Sequence, residues 1–181
     1  GFKFKEIKDL GVVLVERDKF EDSRGVFSEI YKSSLFSKSL LNLRFNQDNL
    51  VYSKANVLRG LHYQKNPYSQ GKLLTIIEGN IFDVCVDIRT DSETYGESFS
   101  INLSSEDNLA IYIPEGFAHG YCTLSDKAII SYKTTSEYDK PSESGIIWND
   151  KSLGIDWPTD NPILSDFDKN LGPFIGPDGS K

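Results

Sequence analysis

The chain has 181 residues, a hydrophobic content of 38% and a formal net charge of -7 at pH 7. This length predicts one domain over residues 1–181, with a core that needs neither disulfides nor metal ions. The negative charge argues against nucleic acid as a partner, because binding to phosphates requires clustered Lys and Arg. No stretch approaches the length of a membrane span, and Cys85 and Cys122 lie in apolar runs typical of buried thiols. We therefore expect a cytoplasmic protein with no membrane partner.

The N-terminal part of the chain combines short strands with one helix. Val12 to Glu16 is an apolar strand, and a Ser-Arg-Gly turn places Arg24 at a bend before a second strand. Ser33 to Leu41 is the best helical candidate, with Ser34 as its N-cap. In the run that follows, Phe45, Gln47 and Asn49 share one strand face, where amides on a cavity wall would explain the pattern.

The segment from Arg59 to Lys72 brings a guanidinium, an imidazole and an ammonium group close together in the sequence. Strand alternation sends Arg59 to one face and His62 to the other. The loop from Pro67 to Gly71 then returns the chain, so that Lys72 enters a strand close to His62. The alternative is an edge strand followed by a solvated turn, with His62 as a surface residue. Because the chain has only two histidines, His62 and His119, we interpret the segment as part of an active site.

Strands become dense after Lys72. Leu73 to Glu78 and Ile81 to Ile88 flank Gly79-Asn80, which predicts a two-residue hairpin turn. Further predicted strands are Glu97 to Leu103, Leu109 to Ile113, Gly116 to Thr123 and Lys127 to Thr134. Many short strands separated by turn residues indicate a sandwich, a barrel or a double-sheet jelly roll. Beyond Pro141 the pattern loosens, and we expect residues 141–181 to wrap around the barrel.

The run Pro114 to His119 lies between two predicted strands and resembles the second motif of the cupins, a family of jelly-roll barrels. A metal-binding cupin also needs a His-x-His pair and a Glu early in the barrel, since a catalytic metal requires at least three protein ligands. The corresponding segment here contains only His62. We therefore expect no metal and no cofactor, and both histidines remain available for proton transfer.

Several runs, in chain order, carry a closer resemblance: Asp22–Glu29, Gln47–Asn49, Leu58–Gln64, Gln70–Leu73, Asp83–Arg89, Ser92–Gly96, Ile113–Gly120, Tyr132–Lys133 and Leu164–Asp168. Together they closely resemble the dTDP-4-dehydrorhamnose 3,5-epimerase family over about residues 10–170. The resemblance implies a mainly β, cupin-like jelly-roll barrel (double-stranded β-helix) with a few short helices. It also implies a metal-free homodimer that acts on a nucleotide-linked 4-keto-6-deoxy sugar in surface polysaccharide synthesis.

The resemblance assigns a role to each candidate catalytic residue. His62 matches the family base, and Asp168 matches the carboxylate that orients the imidazole and stabilises its charged form. Lys72 matches the cation that stabilises the enolate, and Tyr132 matches the acid that returns a proton from the opposite face. Taken alone, Tyr132 is equally well explained as a half-buried strand tyrosine, and Asp168 as a helix cap or tail carboxylate.

Other positions match substrate contacts in the family. His119 matches a sugar contact, and Arg59 and Arg24 match phosphate contacts. The remaining predicted pocket residues are Gln47, Asn49, Glu29 and Tyr138. Arg24 and Glu29 lie on N-terminal strands that reach the neighbouring subunit's site in the family, which implies strand exchange in the dimer.

Position 167 departs from the family pattern, because the family often carries a basic residue there and this chain has Phe167.

Three alternative functions remain open at the level of sequence. The first is a different epimerase specificity, since close relatives in the family invert only C3 or only C5, and some act on GDP-linked 4-keto-6-deoxyheptoses. A sugar-binding jelly roll without catalysis needs only the fold and the pocket aromatics. A metal-dependent cupin is disfavoured by the histidine count.

Overall fold

The structure, a computed structural model, describes residues 1–7, 10–39 and 42–175. Over these residues the chain consists mainly of short antiparallel strands. In chain order they are β1 (Phe2–Ile7), β2 (Val12–Arg17), β3 (Phe20–Asp22), β4 (Gly25–Phe27), β5 (Gln47–Lys54), β6 (Leu58–Gln64), β7 (Lys72–Glu78), β8 (Asn80–Asp87), β9 (Ser98–Ser104), β10 (Leu109–Ile113), β11 (Phe117–Thr123), β12 (Lys127–Thr134) and β13 (Glu143–Gly145).

The strands form two facing sheets and a separate hairpin. One sheet has six strands in the order β1-β2-β10-β7-β12-β5, and the other has five in the order β13-β6-β11-β8-β9. Strands β3 and β4 pair only with each other in the described chain. The prediction of a mainly β, cupin-like jelly roll with a few short helices is confirmed.

Alternation along the strands explains where the main core lies. On β7, Leu74 and Ile76 face inward, and on β8 Ile81 and Cys85 face inward, so that both sheets contribute to one buried cluster. Val84 points the other way, into a cluster beneath the C-terminal segment. A third cluster, around the buried ring of Phe36, covers the outer face of the six-stranded sheet.

The later strands begin and end close to their predicted positions, and β10 and β12 match them in full. The predicted hairpin at Gly79-Asn80 is wrong, because β7 and β8 belong to different sheets. Gly79 instead forms a corner between the sheets, with a φ angle of +87°. A Cβ atom there would lie 2.2 Å from the carbonyl oxygen of Lys127, so only glycine fits this close approach. Gly79 thus lies at a turn, but the two strands that it joins do not pair with each other.

The helices are short. The first, α1 (Ser33–Phe36), is shorter than predicted, and Lys32 rather than Ser34 precedes it without a side-chain cap. Leu40 and Leu41, at the predicted end of this helix, lie outside the described residues. The second, α2 (Asp166–Lys169), is capped by the Ser165 hydroxyl, and two 3₁₀ turns span Lys140–Ser142 and Lys151–Leu153. None of the helices in the described ranges has the length and hydropathy required to cross a membrane.

The C-terminal segment packs against the five-stranded sheet at several points. Trp157 contacts Phe82 edge to face, with ring centroids 5.6 Å apart. Ile163 forms a parallel bridge with Val57, and its carbonyl accepts a hydrogen bond from Leu58. These contacts bring α2 beside β6. Residues 176–181 lie outside the described part of the chain.

Candidate active site

His62 forms a short hydrogen-bonded pair with Asp168. Nε2 of His62 lies 2.5 Å from Oδ1 of Asp168, although the two residues are far apart in sequence. The second carboxylate oxygen accepts a hydrogen bond from the Gly60 amide at 3.2 Å, and Ser165 caps the helix that carries Asp168. The carboxylate is buried while 31% of the imidazole is exposed. In this pair, Asp168 is buried and held in place, whereas His62 is accessible to solvent.

Arg59 lies on the same side of the sheet as His62, contrary to the predicted alternation. In the pairing of β6 with β11, His62 faces His119 and Arg59 faces Tyr121, with a register shift between them. The strand segment from Arg59 to His62 thus contains an extra residue, which turns both side chains to one face. Nε of Arg59 donates to the Ser53 hydroxyl at 2.9 Å. The bulge therefore places a fixed guanidinium beside the imidazole.

Four strands send polar side chains into the space between the sheets at one end of the barrel. The cavity there has a volume of about 230 Å³. Its lining includes Arg59, His62, Lys72, His119, Tyr121 and Tyr132, together with Val51, Leu74 and Ile130. Lys72 and Tyr132 share their strand faces with core residues, so the polar groups continue the inward-facing rows of the barrel interior. The structure thus brings together the residues predicted as base, cation and acid.

Lys72 is the cation with the strongest electrostatic perturbation in this cavity. Burial lowers the pKa of its ammonium group to about 8, while the carboxylates of Asp83 and Glu143 limit the fall. At pH 7 the group still carries a proton, but it releases that proton far more readily than an exposed lysine does. Lys72 therefore provides a positive charge and a proton in a partly desolvated site.

A second histidine–aspartate pair lies next to the first. Nε2 of His119 is 2.7 Å from Oδ1 of Asp83, and both side chains are almost fully buried. Burial lowers the pKa of His119, and the Asp83 carboxylate opposes this shift. Asp83 begins one of the family-like runs, but the sequence patterns predict no role for it. The available signal was a carboxylate between Phe82 and Val84 in an apolar strand, where a charge needs a partner.

Tyr132 projects from β12 into the cavity that His62 also lines. Burial raises the pKa of its hydroxyl, and the nearby positive charge of Arg59 opposes the shift. The phenol is therefore neutral at pH 7 and holds a proton that it can donate. Asn49 faces Tyr132 across β5 and β12, and it accepts a hydrogen bond from Gln47 at 2.9 Å.

The other predicted binding residues do not line this cavity in the described chain. Gln47 and Tyr138 are joined, because Gln47 accepts a hydrogen bond from the Tyr138 amide at 2.9 Å. The Tyr138 hydroxyl donates to Glu143, a residue that sequence reasoning missed. Arg24 pairs with Asp22 on the β3–β4 hairpin. In the described chain, neither Arg24 nor Glu29 lines the cavity of its own subunit.

A base-type residue, a charged ammonium and a neutral phenol around one cavity are suited to proton transfer at a carbon next to a carbonyl. The base takes the proton, the cation meets the charge that develops on oxygen, and a second acid returns a proton. The buried Asp168 carboxylate holds the His62 imidazole in a fixed orientation.

Comparison with known proteins gives a consistent result along the chain. A family model described as dTDP-4-dehydrorhamnose 3,5-epimerase matches residues 6–175. The enzyme of that name from Shigella flexneri is 48% identical over 174 residues, covering 96% of this chain and 95% of the relative. The enzyme of that name from Methanothermobacter thermautotrophicus is 44% identical, with coverage of 96% and 95%.

Solved structures agree with these relatives. The dTDP-4-dehydrorhamnose 3,5-epimerase of Bacillus anthracis, with TDP and PPi bound, superposes with a TM-score of 0.91 at 41% identity, covering 96% of this chain and 100% of that chain. The Legionella pneumophila epimerase in complex with dTDP-4-keto-L-rhamnose has a TM-score of 0.91 at 38% identity, with coverage of 96% and 93%. The chain therefore belongs to the dTDP-4-dehydrorhamnose 3,5-epimerase family of isomerases.

Proposed function

We propose that the protein inverts C3 and C5 of a dTDP-linked 4-keto-6-deoxyhexose through an enolate intermediate, in surface polysaccharide biosynthesis. The grouping of His62, Lys72 and Tyr132 around one cavity carries the proposal. The protons at C3 and C5 flank the C4 ketone, and removal of either leaves an enolate. The reaction thus needs a base beside the carbon and a cation at the C4 oxygen.

His62 is the base in this scheme. Its imidazole is partly exposed at the cavity, so that a substrate proton can reach it, while its Nε2 is held by Asp168. The buried carboxylate holds the imidazole in one orientation as the proton arrives. Asp168 is therefore assigned as the orienting and stabilising partner, and it exchanges no proton with the substrate.

Lys72 and Tyr132 complete the cycle. The lysine meets the developing oxyanion at C4 in a partly buried site, where an electrostatic interaction is stronger than in water. Tyr132 keeps its proton at neutral pH because burial raises its pKa. Donation of that proton from the face opposite His62 inverts the carbon. No metal or cofactor has a step in this scheme.

The nucleotide part of the substrate is assigned by analogy with the relatives. The Legionella pneumophila structure is a complex with dTDP-4-keto-L-rhamnose, and the Bacillus anthracis structure holds TDP. These names do not favour the GDP-linked heptose alternative. Arg59 is assigned to the diphosphate, His119 to the sugar, and the remaining contacts to Gln47, Asn49 and Tyr138.

We also propose that the active form is a homodimer with exchanged N-terminal strands. Phe20, Val26 and Phe27 on the β3–β4 hairpin are more than half exposed, and so is Leu50 on the edge strand β5. Exposed apolar side chains beside an open sheet edge favour pairing with another chain. In such a dimer, Arg24 and Glu29 enter the partner's site. A fully active monomer in analytical ultracentrifugation would contradict this assembly.

A cytoplasmic location is part of the proposal. Cys85 and Cys122 are buried and free, which suits a reducing compartment.

The decisive experiment offers the protein dTDP-linked and GDP-linked 4-keto-6-deoxy sugars in deuterated water and reads the label at each carbon by NMR. We expect deuterium and inversion at both C3 and C5 of the dTDP sugar. Label at C3 alone would place the protein with relatives such as the 38% identical Streptomyces niveus enzyme named as a 3-epimerase. Absence of label from every sugar would support a binding protein without catalysis.

A further inference from the structure

The guanidinium of Arg59 is anchored by neutral groups. Its Nε donates to the Ser53 hydroxyl at 2.9 Å, and its Nη2 donates to the carbonyl oxygen of Tyr52 at 3.3 Å. Arg24 and Arg89, in contrast, each pair with an aspartate. Because no carboxylate in the described chain pairs with Arg59, its positive charge remains available to an anionic ligand.

Ser53 is the buried link in this anchor. It is 1% exposed, whereas the other residues of β5 are at least partly exposed. A buried hydroxyl needs hydrogen-bond partners, and within the described chain Ser53 has two, Nε of Arg59 and the hydroxyl of Tyr121 at 2.8 Å. Because the Nε hydrogen can only be donated, Ser53 accepts from Arg59, and its own hydrogen is left to donate to Tyr121. The Tyr121 hydroxyl thus fixes the direction in which Ser53 presents its oxygen to Arg59.

Tyr121 is itself held firmly by the barrel. The residue is 5% exposed and belongs to the main core cluster. It lies opposite Arg59 in the pairing of β6 with β11, and both residues line the active-site cavity. Burial raises the pKa of its hydroxyl, so the phenol is neutral at pH 7 and does not compensate the charge of Arg59. Tyr121 is therefore a rigid, uncharged end point for the chain of hydrogen bonds that reaches the guanidinium.

We propose that Tyr121 is a positioning residue for substrate binding, which acts through Ser53 to hold the Arg59 guanidinium in the orientation that meets the diphosphate of the substrate. This inference rests on the proposed function for the assignment of Arg59 to the diphosphate. An arginine that is already oriented loses less side-chain entropy when the ligand arrives. Tyr121 exchanges no proton with the sugar, so its contribution lies in affinity and not in the chemical step.

The test is a double-mutant cycle between Tyr121 and Arg59, measured by calorimetric titration with dTDP. Tyr121→Phe removes the hydroxyl and keeps the ring, so we expect the dTDP dissociation constant to rise about 3- to 10-fold, as for the loss of one hydrogen bond. Arg59→Lys removes the Nε donor and the planar guanidinium, and it should weaken dTDP binding further. In the Arg59→Lys background, adding Tyr121→Phe should change the dissociation constant by less than about 2-fold, because the group that Tyr121 positions is gone.

Steady-state kinetics and a matched control complete the test. With the dTDP-linked 4-keto-6-deoxy sugar, Tyr121→Phe should raise KM and leave kcat at the wild-type value, which is the signature of a residue that contributes to binding alone. Ser53→Ala removes the acceptor for the Arg59 Nε hydrogen and should raise KM at least as much. Tyr112→Phe is the matched control, because Tyr112 is also 5% exposed but does not line the cavity. This control should bind dTDP like the wild type.

Three results would overturn the inference. Unchanged dTDP affinity in Tyr121→Phe would show that the hydroxyl does not position Arg59. Equal weakening of dTDP binding in both Arg59 backgrounds, with a lowered melting temperature, would show a structural role only. A lower kcat with an unchanged KM would show that Tyr121 acts in the chemical step. All three leave the deuterium-exchange test of the proposed function unaffected, whereas a wild-type protein that neither binds dTDP nor exchanges deuterium would remove both proposals.

Discussion

Two histidine–aspartate pairs lie side by side in this barrel, and they differ in burial. His62 and His119 face each other directly on β6 and β11. The side chain of His62 is 31% exposed and that of His119 is 8% exposed, while both aspartates are buried. Asp83 comes from the neighbouring strand of the same sheet, whereas Asp168 comes from a helix near the C-terminus. The same chemical pair is thus built in two ways.

The difference in burial fits the two proposed roles, proton transfer at His62 and a sugar contact at His119. An imidazole must meet solvent or substrate to exchange a proton, and His62 is the more accessible of the two histidines. Burial lowers the pKa of His119, so that it stays neutral at pH 7 and contributes hydrogen bonds rather than charge. Lys72 lines the same cavity as both histidines and responds to the charge of Asp83.

The largest effect should come from replacing the accessible histidine. His62→Asn removes the base, so we expect both deuterium exchange and inversion to fall by about 10²- to 10⁴-fold. His119→Asn is the matched control on the facing strand, and it should retain measurable exchange with a raised KM. The measurement is the rate of deuterium exchange in the two variants, followed by NMR. Equal losses in the two variants would show that burial does not separate their roles.

Lys72→Met tests the lysine that lines the cavity together with both histidines. We expect turnover to fall by about 10²- to 10³-fold, because the charge at the enolate oxygen is lost. Burial lowers the Lys72 pKa from 10.5 to about 8, so the charged group costs stability at pH 7, and this cost is relieved as the pH rises from about 8 to 10.5. The variant should therefore be more stable by about 1 to 3 kcal/mol at pH 7.

Urea unfolding of the wild type and Lys72→Met at pH 7 and pH 10 measures this stability difference. The gain should shrink at the higher pH, where the wild-type lysine is already neutral. A variant that is less stable than the wild type at pH 7 would contradict the assigned electrostatic cost.

Tyr132→Phe separates the two faces of the sugar. With His62 intact, the enolate still forms and is reprotonated from the original face. We expect deuterium to enter with retained configuration while the inverted product falls by about 10²-fold. NMR analysis of the recovered sugar distinguishes label from inversion. Inversion at the wild-type rate would require another proton donor on the opposite face.

Asp83→Asn should have the smallest effect, and it concerns the buried pair. The Asp83 charge raises the pKa of Lys72, so its removal lowers that pKa further below about 8. In the wild type, kcat/KM should decline as the pH rises through about 8, because Lys72 loses its proton. In Asp83→Asn that decline should begin at a lower pH. Glu106→Gln, at an exposed position, serves as the control and should leave the profile unchanged.

Parts of the site were predictable because they depend on local pattern. The strand that carries Tyr132 has the predicted bounds, and the loop before Lys72 does return that residue to the cavity shared with His62. The roles of His62, Lys72, Tyr132 and Asp168 came from the resemblance and stay predictions until the variants are measured. Glu143 was missed because its strand, β13, has only three residues and is too short to show an alternating pattern.

The sequence by itself determined the strand pattern, the jelly-roll class and the family, because alternation, turn residues and ordered motifs are written in the order of residues. Tertiary structure alone decided which strands pair, and so turned the expected hairpin at Gly79 into a corner between sheets. It also decided that a bulge aligns Arg59 with His62, and that one histidine–aspartate pair is open while the other is closed. Pairing, register and burial depend on contacts between distant segments, and these do not appear in any local stretch of the chain.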